Sequence, residues 1–248
     1  MPAGATGVIL AAGFGSRLRG VSEATELKPL TVVAGLPLLQ GAVRGLEVAG
    51  CERVVVVVGH GKDDVVASLV GYRGKAEIVF ADNPRYDLKN GVSVLCARPH
   101  LLGERFVLAM ADHVIEDQVM YLAGAHVPPE AGATLLVDKK LETIFDMDDA
   151  TKVLADDEGR IVRIGKTLTE YNCVDVGVFV CTTALMDRIA EVYERTGDAS
   201  LSDGVQALAA TGRMTVLDIG WGFWQDVDTP EMMAHAEREM RKRARTWP

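Results

Sequence analysis

Apolar positions along this chain follow two rhythms. In the first half, short unbroken apolar runs stand at Val8-Ile9-Leu10, Val54 to Val58 and Phe106 to Met110. Between them, apolar residues recur every three or four positions. Unbroken runs suit strands covered on both faces, and the slower rhythm suits helices packed on them. The spacing predicts a helix from Pro37 to Ala49, with Leu38, Leu39, Ala42, Val43 and Leu46 on one face. Pro37 fits its first turn and Gly50 its stop. Lys62 to Val70 and Gly91 to Arg98 read as further helices, the second ended by Pro99, and Ala76 to Phe80 as a strand. This β-α-β-α order predicts a mainly parallel sheet with right-handed crossovers. Ligands of such sheets sit beyond the strands' carboxyl ends. Gly13, Gly59 and Asp112 each follow a predicted strand, so they share one rim.

The second half changes rhythm. Strands are expected at Ala133 to Val137, Lys152 to Leu154, Ile161 to Ile164 and Val174 to Val180, with Asp156 to Gly159 as a hairpin turn. Helices follow near Ala184 to Glu194 and Leu201 to Ala210. Then come a strand, Met214 to Asp218, and a last helix opened by Thr229 as cap and Pro230 as first residue.

The candidate chemistry starts at Gly7 to Leu30. Small residues, Ala11, Ala12, Gly13 and Gly15, follow the first strand, then Ser16, Arg17 and Arg19, and later Lys28-Pro29. Small residues let a backbone approach a ligand, and successive free N–H groups bind anions. Arginine and lysine add charge-assisted contacts to phosphate. The stretch therefore reads as a nucleotide triphosphate site. A dinucleotide loop does not fit, because Leu18 stands where the third glycine belongs and Gly59-His60 follow the next strand. A P-loop does not fit at Gly61-Lys62, where Val56 replaces the first glycine and Asp63 the hydroxyl.

Composition sets bounds. The chain has 248 residues, is 48% hydrophobic and carries a net charge of -9. That is enough for a large α/β domain and a poor basis for nucleic-acid binding. The basic run of Arg238, Arg241, Lys242, Arg243 and Arg245 suits the end of a C-terminal helix. Cys51, Cys96, Cys173 and Cys181 form no C-x-x-C and read as reduced thiols. With neither a secretory signal nor a membrane-length apolar run, the expectation is a soluble, cytoplasmic chain. The oligomeric state stays open, a homodimer included.

Asp112 and Asp226 are each weak signals alone, since a turn or a helix cap explains either. Together they offer two hard oxygen ligands of the kind that Mg²⁺ on a triphosphate requires. Leu10 to Leu18 with Lys28-Pro29 resembles the signature of sugar-phosphate nucleotidyltransferases, the MobA-like NTP transferases. That resemblance implies a three-layer, Rossmann-like α/β fold of the nucleotide-diphosphosugar-transferase type, with a mixed, mostly parallel sheet. It implies one domain over 1–248, with nucleotide binding in about 1–125 and acceptor binding in about 126–248. It makes Asp112 and Asp226 the Mg²⁺ ligands. Leu10, Ala11, Ala12, Gly13, Gly15, Ser16, Arg17 and Lys28 would hold the triphosphate. Asn83, Asn90, Gly91, Ser93 and Ala111 would lie near the base. Lys166 would take the acceptor's phosphate, with Lys139 and Lys152 as further candidates. Asp175 would accept hydroxyl hydrogen bonds, although a structural role suits it nearly as well.

A longer ordered set narrows the resemblance. Met110 to Val114, Ala150 to Val153, Gly159 to Val162, Ile164 to Lys166, Asn172 to Gly177, Leu201 to Asp203 and Trp224 to Thr229 look like the CTP:inositol-1-phosphate cytidylyltransferases. The implied substrates are CTP and a small phosphorylated polyol, and the implied product is CDP-inositol. A separate membrane transferase would use that product, because no such segment precedes the end at Pro248. A phosphate monoester has a second pKa of about 6. Its oxygen is already charged at neutral pH, so the reaction needs no general base. The rival readings are a cytidylyltransferase for phosphocholine or a phosphonate, another sugar-phosphate nucleotidyltransferase, and a non-catalytic nucleotide sensor. A cationic acceptor would want an aromatic or acidic cage, which Trp221, Phe223, Trp224, Tyr171 and Phe145 could form beside Asp146, Asp148 and Asp149.

Overall fold

A computed structural model of the chain describes residues 5–13 and 27–246. The chain opens with β1 (Thr6–Ala11), then a small antiparallel pair, β2 (Val32–Val33) and β3 (Leu36–Pro37). α1 (Leu38–Val48), β4 (Arg53–Val58), α2 (Lys62–Ser68), β5 (Glu77–Asp82), α3 (Asn90–Cys96) and β6 (Arg105–Met110) follow. Next are β7 (His113–Ile115), α4 (Asp117–Ala125), β8 (Ala133–Asp138), β9 (Lys152–Ala155), β10 (Ile161–Gly165) and β11 (Cys173–Thr182). The chain ends with α5 (Thr183–Thr196), α6 (Leu201–Ala209), β12 (Met214–Asp218), β13 (Trp224–Asp226) and α7 (Pro230–Thr246).

Among the described residues the main sheet has nine strands in the order β10-β9-β11-β6-β1-β4-β5, with β8 joined to β11 and β12. Its β6-β1-β4-β5 half is parallel, as the alternating rhythm implies. β11 pairs antiparallel with β6, β8 and β9, which makes the sheet mixed. Successive strand side chains feed opposite cores: Val8, Leu10, Val55 and Val57 go to one, and Ile9, Ala11, Val54 and Val56 to the other. Helices α3, α5 and α6 cover the first face and α1, α2 and α4 the second, giving three layers. That double cover is why the valine run has no polar position.

Chain order creates the site. From β1 the chain passes through α1 to β4 and on to β5, then returns through α3 to β6 on the other side of β1. Adjacent parallel strands left in opposite directions open a crevice at their carboxyl ends. Gly13 and Asp112 lie beyond those ends of β1 and β6.

Local chemistry explains most boundaries. Gly50 follows α1 with φ of 86°, a backbone state that suits glycine. Ser200 and Asp203 form a reciprocal capping box on α6. The Thr229 hydroxyl accepts from the Met232 N–H at 3.2 Å, capping α7. One expected boundary moves. α3 stops at Cys96, and Pro99 sits inside a separate 3-10 turn, Arg98–His100, where its missing N–H is not required. α4 and the β7–β13 ladder were not anticipated. Each of those two strands has three residues, too short to show a period.

The four cysteines are free thiols, three of them buried. Burial pushes Cys51 up to about 12 and Cys173 up to about 11, so neither is a thiolate near neutral pH. Among the described residues no helix is long and apolar enough to cross a membrane.

α3 meets the turn before α6 with no room to spare. A Cβ at Gly91 would stand 2.5 Å from the Ala199 carbonyl oxygen. Gly91→Ala is therefore expected to destabilise the fold by about 1–3 kcal/mol, read as a lower urea midpoint at unchanged slope.

Candidate active site

Two connected cavities occupy the crevice. The first, about 430 Å³, is walled by Leu10 to Gly13 at the end of β1, Lys28-Pro29, Asn90 and Ser93 of α3, and Met110 to Asp112 at the end of β6. These include the residues expected to meet the nucleotide. Gly15, Ser16 and Arg17 lie outside the described residues. Two expected wall residues stand behind the cavity instead. Asn83 is buried; its amide donates to the Ser93 hydroxyl at 2.9 Å and its carbonyl accepts from the Arg85 N–H. It therefore orients Ser93 rather than lining the cavity. Gly91 packs against the Ala199–Ser200 backbone, so its role is close approach of helix and loop.

The second cavity, about 230 Å³, adjoins the first through Asn90, Met110, Asp112, Lys166 and Asp228. Its other walls include His113, Asp149, Thr151, Asp175, Ser202, Trp224 and Asp226. Lys166 pairs with Asp149 at 2.8 Å. Asp175 accepts from the Gly177 N–H at 2.7 Å, and burial pushes its carboxyl up to about 6. Lys139, expected near the acceptor, is exposed and lines neither cavity. Lys152 also lines neither. Its ammonium is turned into the protein, onto the main-chain carbonyls of Asp148, Ala150 and Lys166.

At the junction, Lys28 bridges Asp112, at 2.5 Å, and Asp228. His113 Nδ1 lies 2.6 Å from the other Asp112 oxygen, and its ring stacks on Trp224 at 6.0 Å between centroids. Burial alone would push the Asp112 carboxyl up, yet the adjoining His113 and Lys28 hold it well below the usual carboxylate range. Burial likewise opposes charge on Lys28 and His113. The Asp112 carboxylate, helped by Asp228 at Lys28 and by Asp226 at His113, overcomes it, and each is raised. Asp226 is raised, first by burial and then by Asp228 and Asp112, against the pull of His113.

β13 explains how residues more than a hundred positions apart meet. It pairs antiparallel with β7, with Asp226 opposite His113, and the Val227 N–H donates to the Asp112 carbonyl at 2.9 Å. Asp112 and Asp226 are thus neighbours through the backbone. The close acidic group, however, is Asp149, Asp226 and Asp228, with oxygens within 4.8 Å of one another. Three hard oxygen donors at that spacing fit a divalent cation. Asp228 and His113 carried no expected site role, and Asp149 had only a place beside the rival aromatic cage. The only sequence signal was proximity, because Asp228 follows Asp226 by two and His113 follows Asp112 by one.

Lys28 is nearly buried between two partly buried acids. Removing it leaves both carboxylates without their shared cation. Lys28→Met is expected to lower stability by about 3 kcal/mol in urea unfolding; an unchanged midpoint would mean the bridge contributes nothing net.

Known proteins resemble this chain over most of its length. A chain from Rubrobacter xylanophilus named bifunctional IPC transferase and DIPP synthase is 38% identical over 239 residues, covering 94% of this chain and 51% of that one. A namesake from Aquifex aeolicus is 33% identical, covering 96% of this chain and 52% of its own. The chain thus spans about half the length of these curated relatives. The solved inositol-1-phosphate CTP transferase from T. maritima superposes with a TM-score of 0.80 at 30% identity, covering 94% of this chain and 96% of that one. The profile of the MobA-like NTP transferase domain matches residues 7–202, from β1 into α6. The chain belongs to the family of MobA-like NTP transferase domains.

Proposed function

We propose that this chain is a cytidylyltransferase that joins CTP to inositol 1-phosphate, giving CDP-inositol and pyrophosphate. The observation that carries the reading is the meeting of the two cavities at Asp112, Asp228 and Lys166. An acceptor phosphate on Lys166 would face a nucleotide phosphate beside Lys28 and Gly13. One acceptor oxygen forms a bond to the α-phosphorus, and the bond from that phosphorus to pyrophosphate breaks in line. No proton moves, so the residues have to position the reactants and cover developing charge.

The nucleotide half, about 1–125, contributes Leu10 to Gly13, Lys28, Asn90, Ser93 and Ala111. Lys28 and the small-residue loop, with Gly15, Ser16 and Arg17, hold the leaving pyrophosphate. The acceptor half, about 126–248, contributes Asp149, Lys166, Asp175 and Asp226. Asp175, Thr151, Asn90 and Ser202 supply acceptors and donors suited to a polyol. Of the aromatic side chains that a quaternary ammonium would want, Trp224 alone reaches the second cavity, where it stacks on His113, and one ring does not make a cage. Phe145, Trp221 and Phe223 line a separate cleft of about 370 Å³, and the Tyr171 ring lies against Lys152. This favours a polyol over phosphocholine. Asp112 and Asp226, with Asp228 and Asp149 beside them, would hold magnesium. Bound there, the ion would neutralise charge on the nucleotide's phosphates.

The test is pyrophosphate release from each nucleoside triphosphate with inositol 1-phosphate, phosphocholine or 2-aminoethylphosphonate. Release is expected with CTP and inositol 1-phosphate, and to stop on chelation of divalent metal. Turnover only with an amine-bearing acceptor, or nucleotide binding without turnover, would replace this reading with one of its rivals. Asp112→Asn is expected to lower kcat by about 10²–10³-fold while the far-UV circular dichroism stays native. Undiminished turnover would remove Asp112 from the machinery.

A further inference from the structure

Lys152 opens β9 opposite Gly165 of β10, and the residue is only 8% exposed. Its ammonium donates to the carbonyl oxygens of Asp148 at 3.3 Å, Ala150 at 3.3 Å and Lys166 at 3.1 Å. An ammonium has three donors, and here three main-chain acceptors receive them. The Tyr171 ring lies beneath it, 5.9 Å from nitrogen to centroid. Two of the carbonyls flank Asp149, and the third belongs to Lys166. The side chains of those two residues form the 2.8 Å pair in the second cavity.

A buried charge is expensive unless its hydrogen bonds are met. Here every bond that meets the requirement also fixes one of two irregular segments. Asp149 and Lys166 themselves lie outside the strands, although Gly165 beside Lys166 pairs with Lys152 in the ladder and the Asp149 N–H donates to the Asp146 carboxylate at 3.3 Å. The ammonium adds side-chain bonds that tie the two segments to each other.

We propose that Lys152 is a positioning residue. It clamps the Asp149 segment to the Lys166 segment and so sets the pair that receives the acceptor's phosphate. The assignment rests on the reading of the second cavity as the acceptor site. Lys152 touches no substrate in this role. It acts through Asp149 and Lys166.

Lys152→Met keeps the stem's volume and removes the donors. In the wild-type chain the amides of Asp149 and Ala150, which donate to Asp146, should exchange with deuterium slowly. The variant should speed exchange at those amides by about tenfold and leave the parallel strands unchanged; identical exchange would overturn the clamp. In turnover, the KM for inositol 1-phosphate should rise about tenfold while that for CTP stays within about twofold. Equal rises for both substrates would overturn it. Adding Lys152→Met to Lys166→Met should cause no further loss, because the two act as a unit. Multiplying losses would mean that Lys152 meets the substrate by itself. If the wild-type chain turns over none of the acceptors, the functional reading fails, and the exchange measurement alone decides the clamp. Should Lys152→Met not fold, Lys152→Gln, which cannot reach all three carbonyls, carries the same measurements.

Discussion

One ammonium joins three distant parts of the chain at the mouth of the sheet. Lys28 comes from the 3-10 turn after the first strand, Asp112 from the end of β6, and Asp228 from the entry to α7. No ladder connects those three points directly. The bridge works because each partner removes the others' burial penalty. Without Lys28, Asp112 and Asp228 would face each other and Asp226 as like charges in a poorly solvated space. The short β7–β13 ladder fixes the backbone geometry, and the lysine makes the resulting crowd of carboxylates tolerable.

On the proposed reading, that crowding would serve phosphoryl chemistry. A site that must accept a triphosphate and a phosphate monoester has to balance several negative charges at once. The protein supplies lysines already matched to carboxylates, Lys28 to Asp112 and Asp228, and Lys166 to Asp149. An incoming phosphate would exchange one anionic partner for another. The displaced carboxylates would become ligands for a hard cation. Positive charge on the lysines and negative charge on the aspartates are therefore two halves of one balanced arrangement.

The sequence made the sheet's parallel half readable because its strands are buried on both faces. Runs such as Val54 to Val58 have few other uses, and the intervening helices carry a clear apolar stripe. Helix α7 was readable from Thr229 and Pro230. By contrast, α4 lies between short irregular connections, and β7 and β13 acquire their identity only from each other. The site followed the same division. Residues at strand ends, Gly13 and Asp112, could be placed on the crevice rim by topology. Asp149 could not, because it sits in an irregular segment before β9. Asn83 and Gly91 were read as wall residues, since neighbours in sequence share a neighbourhood. Which of them faces the cavity depends on side-chain direction, and that is set by packing against Ser93 and Ala199.

The lysines make the point most sharply. Lys28, Lys139, Lys152 and Lys166 look alike as letters: each follows or begins an apolar stretch and each could meet a phosphate. Their partners separate them. Lys28 and Lys166 face carboxylates on a cavity wall, where an arriving anion can compete for them. Lys139 is exposed and away from both cavities. Lys152 faces carbonyls in the interior, and a carbonyl set carries no net charge for a phosphate to replace. What an ammonium does is decided by whether its counter-groups can be exchanged, and exchangeability is a property of the folded surroundings. The side chain's own chemistry, which is all that a sequence displays, is common to all four.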